Sequence, residues 1–230
     1  MSSNSTLGKM LDHVLPPMPP FLDMITAQAE TLVNSMAAAV LCLSEPGQQS
    51  VLALSALEEQ ARKERMHHLD KLNNSYSTPI DRADLLQAIN SLAKPVGSIL
   101  LLVEEMQALK ITSDNYCLEM VIVLRETASA LHRGYAKLAT TPGLAQADAM
   151  TGMQCLSSVD RVYRKALGHL FTIDEDLKNM QARQGEAKID AFIHVVDMLK
   201  RRESYRHLRN VASSMQEAAS VLHAIVVQIG

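Results

Sequence analysis

The chain has 230 residues, 47% of them hydrophobic but only 3% aromatic, with 13 Met, no Trp and a formal net charge of −3. That is enough apolar material for one generous domain or two small ones, built from Leu, Val, Ile, Ala and Met as in helix–helix packing. Strands draw more heavily on aromatic and β-branched residues, so the class expected is all-α, and the charge balance leaves no basic footprint for nucleic acid.

In chain order, residues 1–20 form a Pro-rich lead-in that ends in the run Pro16, Pro17, Met18, Pro19, Pro20. These prolines break any signal-peptide h-region, and nowhere do about 18 apolar residues run uninterrupted, so a cytoplasmic location is expected. From Phe21 the apolar residues Ile25, Leu32, Met36, Ala39 and Leu43 recur at helical spacing until Pro46 and Gly47. A second helix carries Leu54, Leu57, Ala61, Leu69 and Leu72. A third is expected from Pro79 through Leu109, bent at Pro95 and Gly97. Ser113 or Asp114 is placed to cap a fourth, with Leu118, Ile122, Leu131, Tyr135 and Leu138 on one face. The segment 140–148 separates it from a fifth helix running past Leu167 and Phe171 towards Met180. A sixth extends from near Glu186 to Val227. Six long helices with short joins predict antiparallel neighbours, in two halves of about 21–110 and 114–230 within one domain, 21–230.

Chemical motifs are sparse. Cys42, Cys117 and Cys155 are far apart in apolar surroundings, the pattern of buried core thiols in a reducing compartment. His67 and His68 project about 100° apart on a helix, which does not suit a shared metal; a solvated polar face is expected for them. The other histidines, His13, His132, His169, His194, His207 and His223, select no dyad or triad. No nucleophile elbow, phosphate loop or dinucleotide fingerprint occurs, so no enzyme is expected.

Two segments remain. In "YSTPIDRADL", Tyr76 to Leu85, Thr78 is placed as an N-cap, Pro79 at the first helical position and Asp81 as the acid of a capping box. Asp81 and Asp84 both stand at the positive end of the helix dipole. In "MLKRRESYRHLR", Met198 to Arg209, the cations Lys200, Arg201, Arg202, Arg206 and Arg209 are interleaved with Glu203. Of these, Lys200, Arg201, Arg202 and Arg206 are the candidate partner surface, for an acidic protein or a lipid headgroup layer.

The stretch Tyr76–Leu85 resembles the phenylalanine–x–TPIDRED–isoleucine signature of the phosphate transport regulators, or Pit accessory proteins, a branch of the PhoU-like superfamily. Thr78, Pro79, Asp81, Arg82 and Asp84 carry the match. "SVDRVYRKALGHLF" (158–171) and the ending "YRHLRNVASSMQEAASVLHAIVVQ" resemble that branch in the same order and spacing. The resemblance implies two tandem three-helix bundles and a role in phosphate homeostasis through contact with a Pit-type phosphate transporter. It places the protein at the inner face of the membrane as a peripheral partner; homo-oligomers are compatible with it.

The resemblance also implies paired carboxylates, Glu-x-x-x-Asp, that hold metal on helix faces. Here Glu58 fits, but Arg62 stands in its partner's place. Ala93, Lys94 and Gly97 replace acids of the third helix. Asp160 fits, but Leu156 stands where its Glu partner would be, and Arg209 and Ser213 replace the last pair. A guanidinium where a cation would sit repels it, so no family-type metal cluster and no cofactor are expected. The alternatives are a metal-binding protein using Glu58, Glu59, Asp160 and neighbours such as Glu217, or a helical scaffold with an unrelated soluble partner.

Overall fold

A computed structural model describes residues 20–171 and 187–229. The Pro-rich lead-in and the expected continuation of the fifth helix to Met180 lie outside the described residues. The helices are α1 (Phe21–Ser44), α2 (Gln48–Asn73), α3 (Arg82–Ala108), α4 (Asn115–Leu138), α5 (Pro142–Met153), α6 (Cys155–Leu170) and α7 (Ala187–Ile229). No strand occurs among the described residues, and the class is all-α as expected.

The expected fifth helix is present but broken at Gln154, which divides it into α5 and α6. It also starts earlier than expected: Pro142, read as part of a loop, occupies the first turn of α5. Its fixed φ and missing N–H suit that position. The bend expected at Pro95 and Gly97 does not interrupt α3, which runs for 27 residues through both.

Cross-helix contacts give the topology. Thr31 of α1 meets Glu64 of α2 while Gln28 meets His68, so these helices are antiparallel. Arg65–Asn90 and Arg82–Leu72 set α2 against α3 in the same sense. Lys94–Glu217 and Glu105–His207 do so for α3 and α7. The two halves pack on each other, α1 against α4 and α3 against α7. The core joining them includes Leu32, Met36, Leu92, Ile99, Leu124, Leu131, Leu208, Met215 and Leu222, all fully buried.

The closest approach lies among α4, α5 and α7. A methyl group built on Gly152 would stand 2.7 Å from Cβ of Ala219, which no side-chain rotation can move. Beside it, buried Asp148 of α5 pairs with Arg133 and Lys137 of α4. The α3 helix is long and apolar enough to cross a membrane, but half of its most apolar window is buried in the bundle. A core helix meets the same test.

Candidate functional site

The join between α2 and α3 is built from its side chains. Ile80 inserts into the core, 9% exposed, while Tyr76 stands in solvent. Asp81 is the N-cap of α3; its carboxylate accepts the N–H of Ala83 at 2.7 Å. The helix therefore begins three residues later than expected, and Thr78 and Pro79 precede it. Burial of Ile80 draws the chain inward before the helix starts, and Asp81 then reaches the second amide of the first turn. Asp84 lies in that turn, half-buried.

Arg82 has a role the sequence did not suggest. Its Nη1 donates to the carbonyl of Leu72 at 2.6 Å and its Nη2 to that of Ser75. These carbonyls lie at the C-terminal end of α2, where the helix dipole favours a cation. Asp81 and Arg82 thus cap two helices from adjacent positions.

The bases Arg62, Lys94 and Arg209 form ion pairs. Arg62 pairs with Glu59, which also meets Lys63 at 3.2 Å, and these bonds hold the Glu59 carboxyl below its usual range. Lys94 meets Glu217 at 2.8 Å across α3 and α7. Arg209 grips Asp160 with its guanidinium 5.9 Å from the centre of the Tyr163 ring. A groove of about 450 Å³ between α2 and α3 is lined by Glu58, Arg62, Arg65 and Lys94. No group of three or more metal-ligating side chains forms among the described residues.

The basic segment of α7 divides into two sets. Lys200 donates to the carbonyl of Leu109 at 3.3 Å, and Arg201 meets Asp114 at 3.3 Å. Both tie α7 to the join between α3 and α4. Arg202 and Arg206 are exposed; Arg206 is paired with Glu203, and Arg202 forms no ion pair with any described residue. These two are the members of the segment directed to solvent.

Asp114 anchors a second cavity, of about 430 Å³, lined also by Tyr116, His169, Asp197, Arg201 and Tyr205. As the N-cap of α4, Asp114 accepts the Cys117 N–H at 2.9 Å, and it accepts the Tyr205 hydroxyl as well. Burial pushes the Cys117 thiol up to about 12 and raises the Tyr205 phenol too. Both stay protonated near neutrality, and through Tyr205 and Arg201 the Asp114 carboxylate fastens the start of α4 to α7.

His68 departs from expectation. It is 5% exposed, and its Nδ1 lies 3.0 Å from the Gln28 Oε1. Gln28 in turn donates to the carbonyl of Ile89 at 2.7 Å. Burial lowers the His68 pKa to about 4, so the imidazole is neutral. His67 is exposed as expected. The signal lay in the spacing: His68 stands seven residues after Ala61 and four before Leu72, on the buried stripe of α2, and His67 does not. The buried thiols of Cys42, Cys117 and Cys155 agree with their reading as core residues.

No protein-family model and no curated protein matches the chain. Among solved structures it is similar to a PhoU-like protein from Shewanella oneidensis MR-1, with a TM-score of 0.54 and 12% identity, over 93% of this chain and 100% of that one. A second chain from that organism, described as a PhoU-like phosphate regulatory protein, matches with a TM-score of 0.52 and 12% identity, over 91% and 96%. At this identity the likeness is one of fold, and the fold is PhoU-like.

Proposed function

We propose that the chain is a member of the PhoU-like superfamily and a non-enzymatic regulatory protein of inorganic phosphate transport. It acts by contact with a Pit-type transporter, as a cytoplasmic protein held at the inner face of the membrane. The observation that carries this reading is the TPIDR segment, which lies at the second-to-third helix join of a PhoU-like fold. The description of one structural neighbour as a phosphate regulatory protein supports it. The mechanism is a bias on the transporter's conformations by differential binding. Among the basic residues, Arg202 and Arg206 are the ones positioned to meet a partner, since Lys200 and Arg201 serve internal contacts.

The test is a cross-linked pull-down from the host's own membranes, read by mass spectrometry, with phosphate uptake measured after deletion of the gene. Enrichment of a Pit-type transporter, reduced by Arg202→Glu/Arg206→Glu, and altered uptake are expected. A dominant soluble partner with unaltered uptake overturns the reading. Elemental analysis of natively purified protein is expected to show no stoichiometric iron, zinc, magnesium or manganese, because Glu59, Asp160 and Glu217 are each bound to a cationic side chain.

A further inference from the structure

The outward face of α7 changes character along its length. Successive helical residues are 100° apart, so Phe192, Val195, Leu199, Arg202 and Arg206 fall within an arc of about 80°. Phe192 is 69% exposed, Val195 50% and Leu199 53%. Across the helix from this arc Ser204 and Leu208 are buried against the bundle, and Met198 and Tyr205 are buried on its flank, whereas at the start of the stretch Ile193 and Asp197 are exposed on that far side too. Further along, the same outward arc carries Asn210, Ser213, Glu217 and Ser220, all exposed and polar. The later part is an ordinary solvated surface; the earlier part is an apolar ridge continued by two arginines.

We propose that this ridge, Phe192 to Arg206, is a contact for an anionic lipid surface. Three features select that occupant. The apolar residues share one exposed arc of a single helix, the arrangement by which an amphipathic helix lies in a headgroup layer. The cations adjoin the apolar residues along the axis, so Phe192, Val195 and Leu199 enter the headgroup–acyl boundary while Arg202 and Arg206 reach lipid phosphates. Arg202 has no carboxylate partner among the described residues, and Arg206 can exchange its exposed pairing with Glu203 for a headgroup phosphate. Arg202 and Arg206 serve both this contact and the function proposed above, and vesicles that hold no transporter test the lipid contact apart from that function.

The experiment is co-sedimentation of the full chain with vesicles of phosphatidylcholine alone and of phosphatidylcholine mixed with phosphatidylglycerol. Binding to the mixed vesicles is expected, weakening as salt screens the charges. Arg202→Gln/Arg206→Gln should weaken it about thirtyfold, since each cation near an anionic surface contributes about fivefold. Phe192→Ser/Leu199→Ser should abolish it, while both variants keep the wild-type circular dichroism, because none of these side chains is buried. Failure to sediment with either vesicle, or binding unchanged in both variants, overturns the proposal. A dimer in sedimentation velocity that Phe192→Ser/Leu199→Ser dissociates also overturns it, showing the ridge covered by a second copy.

Discussion

Individual side chains at helix ends and in buried seams hold much of the information here. His68 is neutral in the folded protein, with its pKa near 4 against about 6.5 when unfolded. Above pH 6.5 both states are neutral and the group is without effect. Between pH 6.5 and 4 the unfolded chain takes up the proton and the folded one does not, so stability falls as pH falls. The loss should approach on the order of 2–3 kcal/mol at pH 4. Urea unfolding from pH 7 to 4 should show a shallower decline in His68→Gln than in wild type; parallel curves would remove His68 as the cause. At the α2–α3 join, Asp81→Ala should cost about 1 kcal/mol as a lost cap. Arg82→Ala should cost about 1 kcal/mol, and Arg82→Lys should recover little of it, since an ammonium cannot span two carbonyls as the guanidinium fork does. Thermal denaturation of the three variants checks both expectations. Asp81 was legible in the sequence as an acid near a helix start, whereas the reach of Arg82 back to Leu72 depends on how two helices meet and leaves no local pattern.

At the scale of helices, two glycines make opposite predictions. Gly97 lies in α3 with nothing within 4 Å of an added methyl group. Gly97→Ala should stabilise by roughly 0.5–1 kcal/mol through helix propensity alone. Gly152→Ala should instead destabilise by about 1–3 kcal/mol, because the new methyl group meets Cβ of Ala219 and α5 must move from α7. Denaturant midpoints with unchanged m-values decide both. The helices themselves were largely legible: apolar spacing placed all six, and Asp114 was recognised as a cap candidate. The break at Gln154 was not, since Gln is a good helix former and Gly152, two residues earlier, is of a kind that helices tolerate. It is imposed by packing, with Gly152 pressed against Ala219 on one side and Cys155 buried on the other.

Across the whole molecule, α7 is the shared wall. Its 43 residues extend about 64 Å and pack on α3, α4, α5 and α6. Its grip is uneven: Leu208, Val211, Ala212, Met215, Leu222 and Ile225 are buried, whereas Phe192, Ile193 and Leu199 are not. Native-state hydrogen exchange should therefore show protection rising along α7, with amides of 192–199 exchanging well before those of 208–226. Uniform protection would contradict a fastening that starts at Tyr205 and Arg201 on Asp114. The fold class and helix order follow from composition and periodicity, and Arg62, Lys94 and Arg209 are legible in the sequence as bases on helices. Which carboxylate each base would find was not legible: Glu217 lies 123 positions from Lys94, and only the antiparallel packing of α3 on α7 brings them together.

The double cap at the α2–α3 join bears on how this chain can change by insertion. Most surface joins lengthen at little cost, since closure entropy grows only with the logarithm of loop length. Here the guanidinium of Arg82 must still reach the carbonyls of Leu72 and Ser75, and Ile80 must still reach the core. Added residues between 73 and 80 would part the two helix ends from their common cap. The join acts as a gauge of fixed length, and descendants of this chain should vary in the residues of that loop long before they vary in their number.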